Sequence, residues 1–270
     1  MGYSVGVAGK TVNLLLNGSG SSTLSPTTNL ERIGNMKKMR NPLVIGYKGE
    51  IGSFILNGLL RVMPKALDIW CVDVNELSIE IEERIKLSDV IFLCVPMGMT
   101  VDWLVRHKDL LDGKVILEQC SLKEDICRDK RLDGLDIRSM HILFRPSQTP
   151  NLEDRKVGLM RNQFDSKFAK VISNITQSEI VWYKDTEEHD KEMAIQQALV
   201  HRTLLILGDT LKGCNGSTYI SKKVVELSER IKKGDIGLYG LIQDNKHLPE
   251  HLEKMEKDLS EFKIEKHMVA

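Results

Sequence analysis

Leu43-Val-Ile-Gly-Tyr-Lys-Gly-Glu-Ile-Gly52, continued by Ser53-Phe-Ile-Leu-Asn-Gly-Leu-Leu-Arg-Val62, reads as a short apolar strand, a glycine-rich turn and a helix. Phe54, Leu56, Leu59, Leu60 and Val62 supply the apolar face of that helix. The glycines stand at 46, 49 and 52, a G-x-x-G-x-x-G pattern rather than G-x-G-x-x-G. Glycines at a strand-to-helix turn let backbone approach an anionic ligand, and the helix N-terminus points N–H groups and a positive partial charge at it. A second apolar run, Ile69-Trp-Cys-Val72, ends at Asp73, 21 residues after Gly52. A carboxylate there can accept both hydroxyls of a ribose and repels a 2′-phosphate. The pattern predicts a dinucleotide site that takes NAD in preference to NADP, with Gly46, Gly49, Ile51, Gly52 and Asp73 as its residues. Asp73 also fits a simple strand-terminal turn. Val95-Pro96 closes a third strand, where it either lines the nicotinamide side of the crevice or merely stops the strand.

Outward from this core the pattern repeats. Val90-Ile-Phe-Leu-Cys-Val95, Val115-Ile-Leu117, Met140-His-Ile-Leu-Phe144, Val157-Gly-Leu-Met160 and Ile180-Val-Trp-Tyr183 are apolar runs separated by helical stretches at 76–86, 98–107, 123–130 and 164–175. Continuous apolar strands alternating with helices imply a sheet covered on both faces. The expected fold is α/β: a doubly wound, mainly parallel Rossmann-type sheet over 42–184, followed by an all-helical C-terminal domain over 185–270. In that tail one helix is expected from about Glu187 to Leu211, stopping at Lys212-Gly213, with others at 219–233, 235–243 and 248–263. The last carries Leu252, Met255, Leu259 and Phe262 at spacings of three and four. Such a tail packs either on the preceding domain or against a second copy, and a homodimer through these helices is expected.

Residues 1–41 differ in kind. Asn17-Gly-Ser-Gly-Ser-Ser-Thr-Leu-Ser-Pro-Thr-Thr-Asn29 is polar and small, and no acidic residue precedes Glu31. An irregular extension is expected, because such a stretch cannot bury enough apolar surface to offset its ordering entropy. Met36 is one natural beginning, and a Ser-rich targeting segment is the other reading.

Across 270 residues, 38 Lys+Arg balance 38 Asp+Glu, which supplies no field for nucleic acid or an anionic membrane. No run approaches the ~18–20 apolar residues that span a bilayer, so a soluble chain is expected. The five cysteines form no C-x-x-C pair, which fits reduced thiols in the cytoplasm and no metal site.

Three further clusters carry polar chemistry: Glu118-Gln-Cys-Ser-Leu-Lys123, His141-Ile-Leu-Phe-Arg-Pro146, and His189-Asp-Lys-Glu-Met-Ala-Ile-Gln-Gln-Ala-Leu-Val-His201. Taken with the glycine turn, from about Leu43 to Tyr239, the chain resembles the prephenate dehydrogenase family. The H-D-x-x-M-A-x-x-Q-A-L-x-H string is its most specific piece. The resemblance implies NAD-dependent oxidative decarboxylation of prephenate to 4-hydroxyphenylpyruvate. It places His141 on the catalytic histidine and Ser121 on the serine that hydrogen-bonds it. It places His189, Gln197 and His201 near the substrate, and Arg230 on a carboxylate-binding arginine once Leu238-Tyr239 is aligned.

The residues themselves leave alternatives open. His141 is also a plausible core histidine on an apolar strand, Ser121 a cap for the helix after it, His201 an interface residue, and Arg230 part of a solvated charged face. The family usually reads H-P-M-x-G where this chain has His141-Ile-Leu-Phe-Arg145, so Arg145 either adds a carboxylate contact or fills the pocket. Other functions stay in play: arogenate dehydrogenase, a related carboxylic-acid or imine dehydrogenase, or a silent module that binds NAD or an aromatic metabolite.

Overall fold

Strands whose side chains alternate between two covered faces must be apolar throughout, and Pro42–Ile45 shows why. Leu43 and Ile45 enter one buried cluster while Val44 enters the other. The computed structural model describes residues 3–7, 10–14, 41–63, 68–73, 75–212, 214, 216–233 and 236–261. Its nine strands are β1 Tyr3–Val7, β2 Lys10–Leu14, β3 Pro42–Ile45, β4 Trp70–Val72, β5 Val90–Leu93, β6 Val115–Glu118, β7 Asp136–Ile142, β8 Lys156–Met160 and β9 Glu179–Tyr183. They form one sheet in the order β2-β1-β4-β3-β5-β6-β7-β8-β9. The stretch from β4 to β7 is parallel, β8 runs antiparallel to β7, and β9 is again parallel to β8.

Helices Glu50–Val62 and Ser166–Thr176 cover one face through Ile55, Leu56, Leu59, Ile172 and Ile175. Helices Ser78–Leu87, Met97–Arg106 and Lys108–Leu111 cover the other through Ile81, Ile85, Trp103, Leu104 and Leu111. The chain leaves β3 for β4 on one side and then crosses to β5 on the other. That change of direction opens a crevice at the carboxyl ends of β3 and β5, the usual ligand position in open α/β sheets.

The two helices on the first face approach closely because Gly58 lacks a side chain. A β-carbon at position 58 would fall 2.1 Å from the Ile175 carbonyl oxygen. That carbonyl also accepts a hydrogen bond from Arg61 Nη2 at 2.8 Å. Gly58→Ala is therefore expected to destabilise the chain by about 1–3 kcal/mol, the usual cost of overpacking. A urea midpoint unchanged from that of the parent would refute this.

One expectation is corrected. Residues 1–41 are not irregular throughout, since β1 and β2 pair as an antiparallel hairpin and β1 adds to β4 through Gly6 and Trp70. Without it β4 would present an open row of N–H and C=O groups, which recruits extended segments. The alternation of Val5, Val7, Val12 and Leu14 with small or polar residues suits such a segment. Expectations on residues 15–40, on Gly213 and on Phe262 lie outside the described residues.

The chain divides into two units, Met1–Thr186 and Glu187–Ala270. The second holds the helices Val200–Lys212, Tyr219–Lys232, Ile236–Gln243 and Leu248–Glu261. Before them the predicted single helix is interrupted: Thr186–Met193 is α-helical, Ala194–Leu199 is a π-helix, and α-geometry resumes at Val200. Gly208 lies against Ser228, where a β-carbon would sit 2.3 Å from the serine Cβ, so helices Val200–Lys212 and Tyr219–Lys232 meet at small residues. Thr218 closes the start of Tyr219–Lys232 with a capping box to Ser221. Among the described residues no helix is long and apolar enough to cross a membrane.

Candidate functional site

The glycine turn has the shape its sequence implies. Gly46 adopts φ +79°, and a β-carbon on it would lie 2.4 Å from the Cys94 carbonyl oxygen. At Gly52 a β-carbon would meet the Gly46 carbonyl oxygen at 2.2 Å. These two positions therefore require glycine, one for its backbone and one for helix–strand proximity. Gly49 is the N-cap of helix Glu50–Val62 and brings no side-chain cap, so that helix presents first-turn N–H groups at the carboxyl edge of the sheet. Ile51 is half-buried in the same turn. Asp73 follows β4 and is buried, with Asn75 N and Nδ2 both 3.5 Å from Oδ1. Val95 is buried, and Pro96 is the N-cap of helix Met97–Arg106.

Glu50, in the first helical turn, escaped sequence reasoning. Its Oε1 accepts from Ser147 N at 2.8 Å and Ser147 Oγ at 2.6 Å, and its Oε2 accepts from Arg145 Nε at 2.9 Å. Burial pushes its carboxyl up, but the combined hydrogen bonds from Ser147 and Arg145 outweigh that and hold it below the ordinary glutamate value. Arg145 is thus engaged with Glu50, and the His141–Pro146 segment is tied to the glycine turn. The sequence signal was the one acidic residue inside the glycine cluster.

Ser121 and His141 are brought to the same edge by a buried ion pair. Glu118 ends β6 and Lys123 follows it, and both side chains are fully buried. Lys123 Nζ donates to Glu118 Oε1 at 2.8 Å and to the Met140 carbonyl at 2.7 Å, while Glu118 Oε2 accepts from Cys120 N at 2.7 Å. Cys120 precedes Ser121 and Met140 precedes His141, so one pair fixes the backbone before both candidate residues. Helix Glu124–Arg128 begins at Lys123 without a side-chain cap, which leaves Ser121 out of the capping role. His141 is 5% exposed near the carboxyl end of β7, paired with Gly158. Met140 and Ile142 belong to the first-face core, so by strand alternation His141 faces the other way.

Within the second unit His189 is fully buried and its Nδ1 lies 2.7 Å from Asp190 Oδ1. The Asp190 carbonyl accepts from Asn245 Nδ2 at 2.7 Å. Gln197 lies inside the π-helix, a geometry frequent at functional sites. The His201 ring meets the Tyr239 ring edge-on at 4.9 Å, and Gln243 Nε2 donates to the Ala198 carbonyl at 3.0 Å. Gln197 Oε1, His201 Nδ1 and Gln243 Oε1 are buried without a hydrogen-bond partner. Tyr239 and Gln243 were not singled out from sequence as side chains of this cluster. Arg230 is exposed on helix Tyr219–Lys232.

Burial lowers the His201 pKa from its ordinary 6.5. The neutral ring is therefore favoured in the fold, and the unfolded chain binds the proton more readily. Stability contributed by this position is present above about pH 6.5 and is lost as pH falls through the lower folded value. His201→Gln is expected to flatten the Tm-against-pH curve below about pH 6.5, and a curve of unchanged slope would refute the assignment.

No family model and no curated protein matches the chain. Solved structures do. A prephenate dehydrogenase from A. aeolicus, in complex with hydroxyphenyl propionate and NAD+, superposes with a TM-score of 0.64 at 20% identity, over 83% of this chain and 89% of that one. A protein provisionally assigned as a prephenate dehydrogenase, from Corynebacterium glutamicum, superposes with a TM-score of 0.64 at 16% identity, over 82% of this chain and 80% of that one. At these identities the likeness establishes the fold.

Proposed function

We propose that the chain is an NAD-dependent dehydrogenase that oxidises prephenate with loss of CO2, giving 4-hydroxyphenylpyruvate. The observation that carries this reading is the buried His141, set near the carboxyl end of β7 and tied through Lys123 and Glu118 to the Ser121 segment. The glycine turn lies on the same edge of the sheet. The four sequence clusters and the ligands named for the A. aeolicus structure support the same reading.

The residues fit a dinucleotide: a tight glycine turn with no room for β-carbons at 46 and 52, an uncapped helix start, and a buried carboxylate at Asp73. Gly46, Gly49, Ile51 and Gly52 would hold the pyrophosphate, Asp73 the adenosine ribose, and Val95 and Pro96 the nicotinamide side. When bound, the cofactor supplies the acceptor for the hydride leaving C4 of the substrate. An imidazole nitrogen of His141 accepts the proton of the 4-hydroxyl as the carbonyl forms, and Ser121 hydrogen-bonds both partners. Release of the ring carboxylate as CO2 restores aromaticity and makes the step irreversible.

For His189, Gln197, His201 and Arg230 we propose substrate contacts, with the Arg230 fork taking a carboxylate. The Asp190 carboxylate at His189 Nδ1 fixes that ring's orientation. Arg145 acts through Glu50 rather than on the substrate.

A cytoplasmic homodimer through the C-terminal helices completes the proposal. It is supported by exposed Val200, Ile206, Leu207, Tyr219, Ile220 and Leu227 in the second unit, apolar side chains that a second copy would cover. The deciding assay is NADH formation with prephenate, arogenate and a panel of 2-hydroxy acids and imines. Turnover with prephenate supports the proposal and turnover with another substrate reassigns it. Binding without hydride transfer would leave a silent module.

A further inference from the structure

Glu76 lies in the turn after β4, three residues beyond Asp73, and its backbone N–H donates to the Asp73 carbonyl at 3.0 Å. Its Oε1 is 3.6 Å from Lys48 Nζ, and Lys48 sits between the first two glycines of the nucleotide turn. Its Oε2 is buried and has no hydrogen-bond partner. A buried carboxylate oxygen in this condition lacks a donor that it needs. The Tyr47 phenol reports the same neighbourhood: burial raises its pKa first, Lys48 opposes this, and the charges of Cys71, Glu76 and Asp73 add to it. Asp73, Glu76 and Lys48 therefore share one corner of the turn.

The function proposed above does not use Glu76 or Lys48. We propose that Glu76 is a second carboxylate of the adenosine-ribose subsite, its Oε2 accepting a ribose hydroxyl beside Asp73. By holding Lys48 in an ion pair it also withholds a nearby cation that a 2′-phosphate could use. A ribose diol offers two donors, which suits two carboxylates. A phosphate in place of the 2′-hydroxyl offers no donor and meets two like charges. The inference rests on the dinucleotide reading and sharpens it, because selection against NADP then comes from two acidic groups and an occupied lysine rather than from Asp73 alone.

The test is equilibrium binding of NADH and NADPH to the full chain, followed by nicotinamide fluorescence and independent of any turnover. Glu76→Gln keeps size, removes the charge and releases Lys48. It is expected to weaken NADH and tighten NADPH, moving the ratio of the two dissociation constants by about tenfold or more, the worth of one charge-assisted hydrogen bond. In Lys48→Met/Glu76→Gln the gain for NADPH should shrink, since the released cation is gone. Glu76→Asp keeps the charge but not the reach, so it should weaken NADH while still rejecting NADPH. Circular dichroism checks that each variant is folded. An unchanged ratio in Glu76→Gln, or equal weakening of both nucleotides, overturns the inference and leaves the dinucleotide reading in place. Failure of the parent chain to bind either nucleotide overturns both.

Discussion

His141→Asn is expected to lower turnover by roughly 10²–10⁴-fold, the usual worth of a positioned general base. Asparagine keeps hydrogen-bonding capacity near that of the imidazole, so the buried site near the end of β7 stays filled and substrate affinity should change little. What it cannot do is accept a proton. The loss should therefore appear in kcat with KM nearly constant. The pH profile supplies a second measure. Protonated imidazole cannot take the hydroxyl proton, so turnover of the parent falls on the acid side, and the variant should lack the limb that belongs to this residue. Near-parental kcat in His141→Asn would remove the residue from the chemistry.

Lys123→Met is expected to destabilise the first unit by about 3–5 kcal/mol. The side chain is fully buried between the Glu118 carboxylate and the Met140 carbonyl. Deleting the cation leaves a carboxylate in the interior with its counter-charge gone, which costs far more than the pair itself contributes. The double variant Glu118→Leu/Lys123→Met removes both charges and should regain most of the lost stability. Its turnover should stay low, because the Met140 carbonyl before His141 has still lost its donor. Urea denaturation of the two variants with paired kcat measurements separates these effects. A single variant as stable as the parent would show that the pair does not anchor the two strands.

Much of this was legible because it depends on local pattern. The strands β3 to β9 follow from apolar runs bounded by turn residues, and the roles of Gly46 and Gly52 follow from their place between β3 and a helix. Long-range polar pairing was not legible. Glu118 and Lys123 look like ordinary charged residues after a strand, and only the sheet shows that both are buried and joined to Met140, 17 residues on. Arg145 finds Glu50 across 95 residues, and no local rule connects them. The β1–β2 hairpin was missed for another reason. Its alternation is short and sits in a polar, glycine-containing stretch, and its pairing depends on an open edge at β4 that exists only once the sheet is built. In the second unit, 3.6-residue periodicity located the helices but could not reveal six residues with i→i+5 bonding inside one of them.

That wide turn has a consequence for the helix after it. Each residue of an α-helix advances the side chains by about 100°. Rewinding Ala194–Leu199 to i→i+4 bonding with its six residues kept would rotate everything after it by roughly that angle. His201 would swing away from Tyr239, and the ring packing seen at this joint would be lost. The wide winding thus sets the phase of the downstream helix, taking up one residue more than regular winding would over the same rotation.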